Sequence, residues 1–329
     1  MAESPHIVFI SWAAPVPRSD NIAAALGGYN HTIVSWKRAP VWLAPLRYAV
    51  QSWRTWITLR REQPDAVIAM NPPIALPLVV WCYSLFHNAV FLIDSHTGAF
   101  LSGWRHTLFL HRFLSRRALT TLVTNDPLAN WVRRWGARAM VLEDRLPDLP
   151  VAPPSKPNAR FTITVINSYA WDEPLNELIA AAQSLNQCNF HITGRVPVPP
   201  PPVLSDLPGH IRLTGFLATE DYISLLNRSD ALMALVTQDH TLLCGAYEAV
   251  AVEKPLIISD WPALRGYFNK GAVYVDNSVE SIRQAVEKVI QSSQTYKAEM
   301  RMLKGELERD WELKREELAR LITARGEDA

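Results

Sequence analysis

The segment His240-Thr-Leu-Leu-Cys-Gly-Ala-Tyr-Glu-Ala-Val-Ala-Val-Glu-Lys-Pro-Leu-Ile-Ile-Ser-Asp260 decides the fold. It follows the short apolar run Ala231–Leu235 and opens as a loop. The small residues Cys244, Gly245 and Ala246 then start a helix, and Lys254-Pro255 ends it before an apolar strand begins. Strand, loop, helix and strand in so few residues make a βαβ unit, which implies a parallel sheet. Small residues at a helix start let an anion approach exposed backbone N–H groups, where the helix dipole also favours negative charge. The segment therefore reads as a diphosphate seat. Glu248 lies one turn into the helix, where a carboxylate can accept hydrogen bonds from sugar hydroxyls.

The same alternation extends in both directions. Apolar runs predict strands at His6–Ile10, Thr32–Ser35, Ala66–Ala69, Ala89–Ile93, Leu122–Thr124 and Met140–Leu142. A second series falls at Phe161–Ile166, Asn189–Thr193, Ile211–Thr214, Ala231–Leu235, Pro255–Ser259 and Ala272–Val275, with helical segments between. The expected fold is α/β, with two Rossmann-like parallel-sheet domains facing across a cleft. Five prolines between Leu146 and Asn158 mark an extended linker, so residues 1–150 form the first domain and 151–295 the second. Residues 296–329 read as one or two C-terminal helices that pack back on the first domain. The proline run Pro197–Pro202 lies inside the second series and reads as a loop leaving a strand.

Composition narrows the class. The chain has 329 residues, 48% hydrophobic and 20% charged, which fits a globular protein of about two domains. Its three cysteines are far apart and share no metal-type spacing, so neither a disulfide scaffold nor a zinc site is expected. No long apolar stretch lacks interruption and no signal-peptide core is visible, so the expected location is cytoplasmic, with peripheral attachment to the membrane face. The net charge of +1 conceals an asymmetry. Residues 1–150 carry 15 Lys and Arg against 9 Asp and Glu, and the remainder 18 against 23.

The second series resembles the C-terminal half of the GT-B glycosyltransferases, in particular the large group-1, family 4-like class. Members of that class carry Glu-x7-Glu, a glycine-rich helix start, then Lys-Pro and a hydrophobic strand ending in Ser-Asp. Glu248 matches the second Glu, and the first falls on His240, which can donate as well as accept. Gly194-Arg195, at the end of Phe190-His-Ile-Thr, resembles the stretch that nears the donor, with Arg195 offsetting diphosphate charge. Gly215-Phe216 resembles the pair beside the nucleotide base. Asn167-Ser-Tyr-Ala-Trp-Asp-Glu-Pro174 is similar to a pattern of the dolichol-linked β-mannosyltransferases. The resemblance implies donor contacts at Ser168, Tyr169, Gly194, Arg195, Gly215, Phe216, His240, Leu243, Cys244, Gly245, Ala246 and Glu248. Read without it, Trp171 is a residue that packs on a neighbouring helix, and Ser168 and Tyr169 are turn residues.

In the first series the strand ends carry Ser11-Trp12, Asn71-Pro-Pro73 and Asp94-Ser-His96. The Asn-Pro-Pro and Asp-x-His pair also resembles the lipid-linked sugar transferases. The resemblance places Ser11, Trp12 and Asn71 on the acceptor side, with Asp94 or His96 handling the acceptor hydroxyl, as a base within reach of it must. Read alone, Asp94 is a helix N-cap and His96 a structural histidine. Dinucleotide, P-loop, hydrolase-elbow and zinc-protease motifs are absent, as is Asp-x-Asp. The expected reaction is therefore metal-independent transfer with no cofactor, the nucleotide-sugar being the donor substrate. An epimerase of the same build and a non-catalytic nucleotide-sugar-binding scaffold are the alternatives.

Two segments are basic and aromatic. Lys37 to Arg61 holds Lys37, Arg38, Arg47, Arg54, Arg60 and Arg61 with Trp42, Tyr48, Trp53 and Trp56 and no carboxylate; Trp104 to Arg117 repeats the composition. Rings at headgroup level and cations over anionic lipid suit a bilayer interface. The bland alternative is a surface helix with buried tryptophans. With a pI near 7.8 and no nucleic-acid module, nucleic acid is not an expected partner. The expected partners are a nucleotide-sugar, a lipid-linked or saccharide acceptor and an anionic membrane surface.

Overall fold

The computed structural model describes residues 5–14, 16–36, 40–100, 102–151, 159–239 and 241–327. The chain divides into two compact units, one of residues 1–145 with 309–329 and one of residues 146–308. Each is built on a six-stranded, wholly parallel sheet.

In the first unit the strands are β1 (Ile7–Ser11), β2 (Tyr29–Thr32), β3 (Ala66–Asn71), β4 (Val90–Ser95), β5 (Thr121–Val123) and β6 (Ala139–Val141), ordered β2-β1-β3-β4-β5-β6. β1 and β3 are buried at every position, as apolar strands covered on both faces must be. The helices are α1 (Pro17–Ala25), α2 (Ala44–Glu62), α3 (Ala75–Ser84), α4 (Leu108–Ser115) and α5 (Asp126–Arg134). α2 buries Gln51, Thr55 and Leu59, one residue per turn on one face. Asn125 caps α5 by accepting from the Leu128 amide at 3.1 Å.

One strand is misplaced by hydrophobicity. The apolar run predicts residues 32–35, whereas β2 occupies Tyr29–Thr32 and pairs Val8 with Tyr29. β2 is an edge strand with no buried position, so no apolar alternation marks it. Ile33 extends the ladder by one bond, from its amide to the Ser11 carbonyl at 2.8 Å, and its carbonyl accepts from Gln51 Nε2.

The second unit holds β7 (Phe161–Val165), β8 (Cys188–Thr193), β9 (Ile211–Gly215), β10 (Ala231–Ala234), β11 (Leu256–Ser259) and β12 (Ala272–Val275), ordered β12-β11-β10-β7-β8-β9. Its helices are α6 (Leu175–Ser184), α7 (Thr219–Arg228), α8 (Cys244–Ala251), α9 (Pro262–Tyr267) and α10 (Val279–Gln291). The last segment is one continuous helix, α11 (Ser293–Glu327). Met300, Leu303 and Leu307 join the second unit's core, and Trp311, Leu318 and Ile322 the first unit's.

Strand order reverses between β1 and β3 in the first unit and between β7 and β10 in the second. The crevice beyond the carboxyl ends of strands at such a reversal is where open α/β sheets take ligands.

Candidate functional site

In the second unit three loops meet at the β7/β10 reversal. The Thr237 amide and hydroxyl, beyond β10, both donate to the Asp172 carbonyl, at 2.7 and 3.0 Å. Beyond β8, Gly194 adopts φ +101°, and a Cβ there would lie 2.1 Å from the Asn167 carbonyl oxygen, so only glycine fits. The loop after β10 is fixed from below. Ser259 Oγ accepts from the Val236 amide at 2.8 Å and donates to Asn277 Oδ1 at 2.7 Å, and Asn277 Nδ2 donates to the Val236 carbonyl at 3.0 Å.

The loop after β7 is organised by Glu173, a residue the sequence does not single out. Its carboxylate accepts from the Ser168 amide and hydroxyl at 3.0 and 2.9 Å and from the Ala170 amide at 2.9 Å. Tyr169 follows in the left-handed region, φ +60°, with its amide donating to Asn167 Oδ1 at 2.9 Å. Trp171 does not pack on a helix, as one reading had it, but is 85% exposed at the loop tip. Arg195 and Phe216 project from adjacent loops, the guanidinium carbon 5.6 Å from the centre of the exposed ring, close enough for a cation–π contact.

At the start of α8 a Cβ on Gly245 would lie 2.9 Å from Ile166 Cβ, so packing against the end of β7 demands glycine there. Gly245 and Ala246 are buried, Cys244 is exposed, and the Ala246 amide already donates to the Leu243 carbonyl at 3.0 Å. Leu243 is the N-cap residue and makes no side-chain cap bond. Glu248 is largely buried and accepts from the Tyr222 hydroxyl of α7 at 2.6 Å. Burial raises the Glu248 carboxyl, and the Tyr222 bond pulls it partly back. His240 lies outside the described residues.

In the first unit the strand ends hold a buried charge cluster. β4 continues through Asp94 and Ser95, so Asp94 is a strand residue and not a helix cap. It has no exposure and is gripped by Arg18 of α1, with Nε at 3.0 Å and Nη2 at 2.7 Å from Oδ1. Arg18 Nη1 donates to Asp144 Oδ1 at 2.8 Å. Burial disfavours the Asp94 charge, but the Arg18 guanidinium and then His96 more than offset it and hold the carboxyl well below its usual range. His96 Nε2 stands 3.2 Å from Asp94 Oδ2, and its side chain is 33% exposed. Of the expected pair, His96 alone presents surface to a ligand.

The other acceptor-side residues divide. Ser11 is buried against Thr32, with hydroxyl oxygens 3.3 Å apart. Asn71 is buried and donates to Ser95 Oγ at 3.3 Å, and Ser95 Oγ lies 2.8 Å from His111 Nε2. Burial lowers His111 to about 3, so this imidazole stays neutral. Ser11 and Asn71 are thus interior groups that brace the strand ends. Trp12 donates from Nε1 to Thr55 Oγ1 at 2.9 Å and stacks on Tyr48 at 5.9 Å. With Ser35, Arg47, Tyr48 and Gln51 it lines a cavity of about 420 Å³ beside the β1/β3 reversal. Among the described residues no group of three or more His, Cys, Asp or Glu is placed to hold a metal ion.

Sequence reasoning missed Arg18, Asp144, Glu173 and Tyr222. Arg18 left one signal, since a cation in the first turn of a helix opposes the dipole and implies a tertiary partner.

Residues 173–307 match the family model described as glycosyl transferase-like. No curated protein matches the chain. Among solved structures, sucrose-phosphate synthase from Thermosynechococcus elongatus aligns at 13% identity and TM-score 0.75, over 97% of this chain and 99% of its own. A glycosyltransferase from Rickettsia africae ESF-5 aligns at 11% identity and TM-score 0.76, over 98% and 99%. Anabaena Alr3699/HepE in complex with UDP and glucose aligns at 12% identity and TM-score 0.73, over 97% and 100%. Residues 173–307 thus match a glycosyl transferase-like domain, and the chain as a whole has the two-sheet α/β fold of these solved structures, GT-B.

Proposed function

We propose that the chain moves a sugar from a nucleoside-diphosphate sugar, seated at the β7/β10 reversal, to a lipid-linked or polysaccharide-precursor acceptor carried by the first unit. The observation that carries this reading is the convergence of the loops after β7, β8 and β10 within and beside the segment that matches the transferase family. Phe216 offers a face for the base and Arg195 a cation for the diphosphate, while Glu248 accepts from ribose or sugar hydroxyls. HepE holds UDP and glucose, which makes UDP-sugars the first donors to test.

On the acceptor side, His96, with Nε2 3.2 Å from Asp94 Oδ2 and its side chain partly exposed, is the group that serves as the base. It takes the proton of the acceptor hydroxyl as that oxygen bonds to the anomeric carbon and the bond to the diphosphate oxygen breaks. Charge on the departing diphosphate falls to Arg195 and nearby backbone donors, without a metal. The cavity beside Trp12, Arg47 and Tyr48 suits a sugar ring carrying an anionic group. An acceptor of this kind is presented at a membrane, so the enzyme works while peripherally attached.

The test is product analysis with UDP-, GDP- and ADP-sugars, with and without a membrane lipid extract, and with a chelator. Glycosylated lipid formed equally with chelator present is the expected result. Sugar isomerised without acceptor would favour an epimerase, and donor bound without turnover a binding protein; either overturns the proposal.

A further inference from the structure

We infer that the outer face of α2, α3 and α4 is a bilayer-docking surface, with a lipid-phosphate pocket built by Arg116, Arg117 and Arg138. The inference deepens the reading of a membrane-presented acceptor and rests on it for its purpose. α3 lies between the other two helices. Trp56 of α2 packs edge-on against Tyr83 at 5.7 Å, and Trp81 packs edge-on against Phe113 of α4 at 5.2 Å. A helix covering one side of a sheet ordinarily turns polar residues outward. α3 does not: its sequence Ala-Leu-Pro-Leu-Val-Val-Trp-Cys-Tyr-Ser has no charge, and Leu78, Val79, Trp81 and Cys82 are only half-buried.

Around this apolar strip stand large exposed side chains: Trp53 at 66%, Phe86 at 77% and Phe109 at 76%, with Trp42, Leu46 and Leu85 also exposed. An apolar patch of this kind marks an interaction surface. What covers it follows from the charge. Residues 40–120 hold eight arginines and three carboxylates, Glu62, Asp65 and the buried Asp94. α3 and α4 carry no acidic residue at all. Arginines rimming exposed aromatics, with no carboxylate on α3 or α4, complement an anionic bilayer surface, where rings sit at headgroup level.

The pocket supplies a second, independent feature. It is a cavity of about 840 Å³ at the amino ends of the first sheet's strands, on the opposite edge from His96, and no carboxylate lines it. Arg116, Arg117 and Arg138 line it with Trp81, Leu85 and His87. The Arg117 guanidinium carbon stands over Phe113, 3.5 Å from the ring centre, and Nη1 donates to the Phe113 carbonyl at 3.1 Å. Arg116 Nε donates to the Trp135 carbonyl. These bonds fix the two guanidinium planes while leaving most of each five-donor fork for a ligand. Three guanidinium groups, two of them held in place, beside an apolar ridge match a phospholipid, with phosphate in the pocket and chains along α3 and α4.

The test is sedimentation of the full chain with phosphatidylcholine vesicles, with and without phosphatidylglycerol, at low and high salt and without any donor. Binding that requires phosphatidylglycerol and weakens with salt is expected. Replacing Arg116, Arg117 and Arg138 together with Gln should weaken it roughly 100-fold. Trp53→Ser with Phe109→Ser should weaken it about tenfold or more. Because these side chains are exposed, both variants should unfold at the wild-type temperature and keep any donor-induced shift, so lost docking is distinguishable from lost transferase function. Equal sedimentation with neutral vesicles, or variants that bind as wild type does, would overturn the inference. So would an oligomer that both variants dissociate, since a second copy would then cover the face. Stabilisation by inorganic phosphate alone equal to that by vesicles would overturn the lipid assignment.

Discussion

Asp94→Asn lowers the stability of the first unit by roughly 3–5 kcal/mol, because it leaves the Arg18 guanidinium buried with its main counter-charge removed. Arg18→Met produces a loss of the same order by stranding Asp94. The double variant Arg18→Met with Asp94→Leu recovers most of it, since an apolar pair of similar volume avoids the desolvation of both ions. Urea unfolding of the four proteins gives the cycle. The pH dependence follows from the direction of the Asp94 shift. A carboxyl held below its unfolded value stabilises the fold fully at pH values above the ordinary value of 3.8, and the contribution is lost as pH falls through the lower folded value. Wild type therefore loses stability on acidification below about pH 4 through this pair, and the double variant lacks that component. If wild type and double variant show the same acid profile, the pair carries no pH-linked stability.

His96→Ala lowers kcat about 10²–10⁴-fold, the range a positioned base contributes, and leaves donor-induced stabilisation intact. His96 is one-third exposed and contacts the cluster only through Asp94, so its removal costs little structure. The combination separates a base from a brace. A variant that keeps wild-type turnover with an identified acceptor removes His96 from the reaction, and one that loses donor binding too moves it to a structural role. Asp94→Asn also slows transfer, by releasing the imidazole from its orientation, but with the stability loss given above.

How much of this was legible in the sequence depends on what marks each residue. Apolar runs flanked by helical segments located the central strands, because a strand buried on both faces has to be continuously apolar, as β3 is. β2 escaped because an edge strand is under no such demand. The polar groups at strand ends were found as a set, but the sequence did not sort them. Asp94 and His96 are two residues apart and share a face of the chain, yet one has no exposure and the other meets solvent. That difference comes from Arg18, 76 residues away from Asp94, which no local pattern brings to it. Ser11 and Asn71 turned inward for the same reason, each finding a hydroxyl on a neighbouring segment. The packing demand on Gly245 is invisible in the motif, since the Ile166 side chain that forbids a Cβ belongs to a different strand end. Tyr222, the partner of Glu248, lies 26 residues away on another helix and left no trace in the motif. Trp171 and Phe216 show the limit of composition: an aromatic residue gives no sign in sequence of whether it packs or waits for a ligand, and both are exposed.

Everything assigned to the second unit depends on a nucleotide-sugar binding at the β7/β10 reversal. A thermal-shift titration with UDP-, GDP- and ADP-sugars measures this directly, since a ligand that binds only the folded state stabilises it by about 2.7 kcal/mol at one hundred times its dissociation constant. One nucleotide-sugar should raise the unfolding temperature, and Arg195→Ala, Phe216→Ala and Glu248→Ala should each reduce that rise. No response to any of the three donors, or a response that all three substitutions leave unchanged, would contradict it.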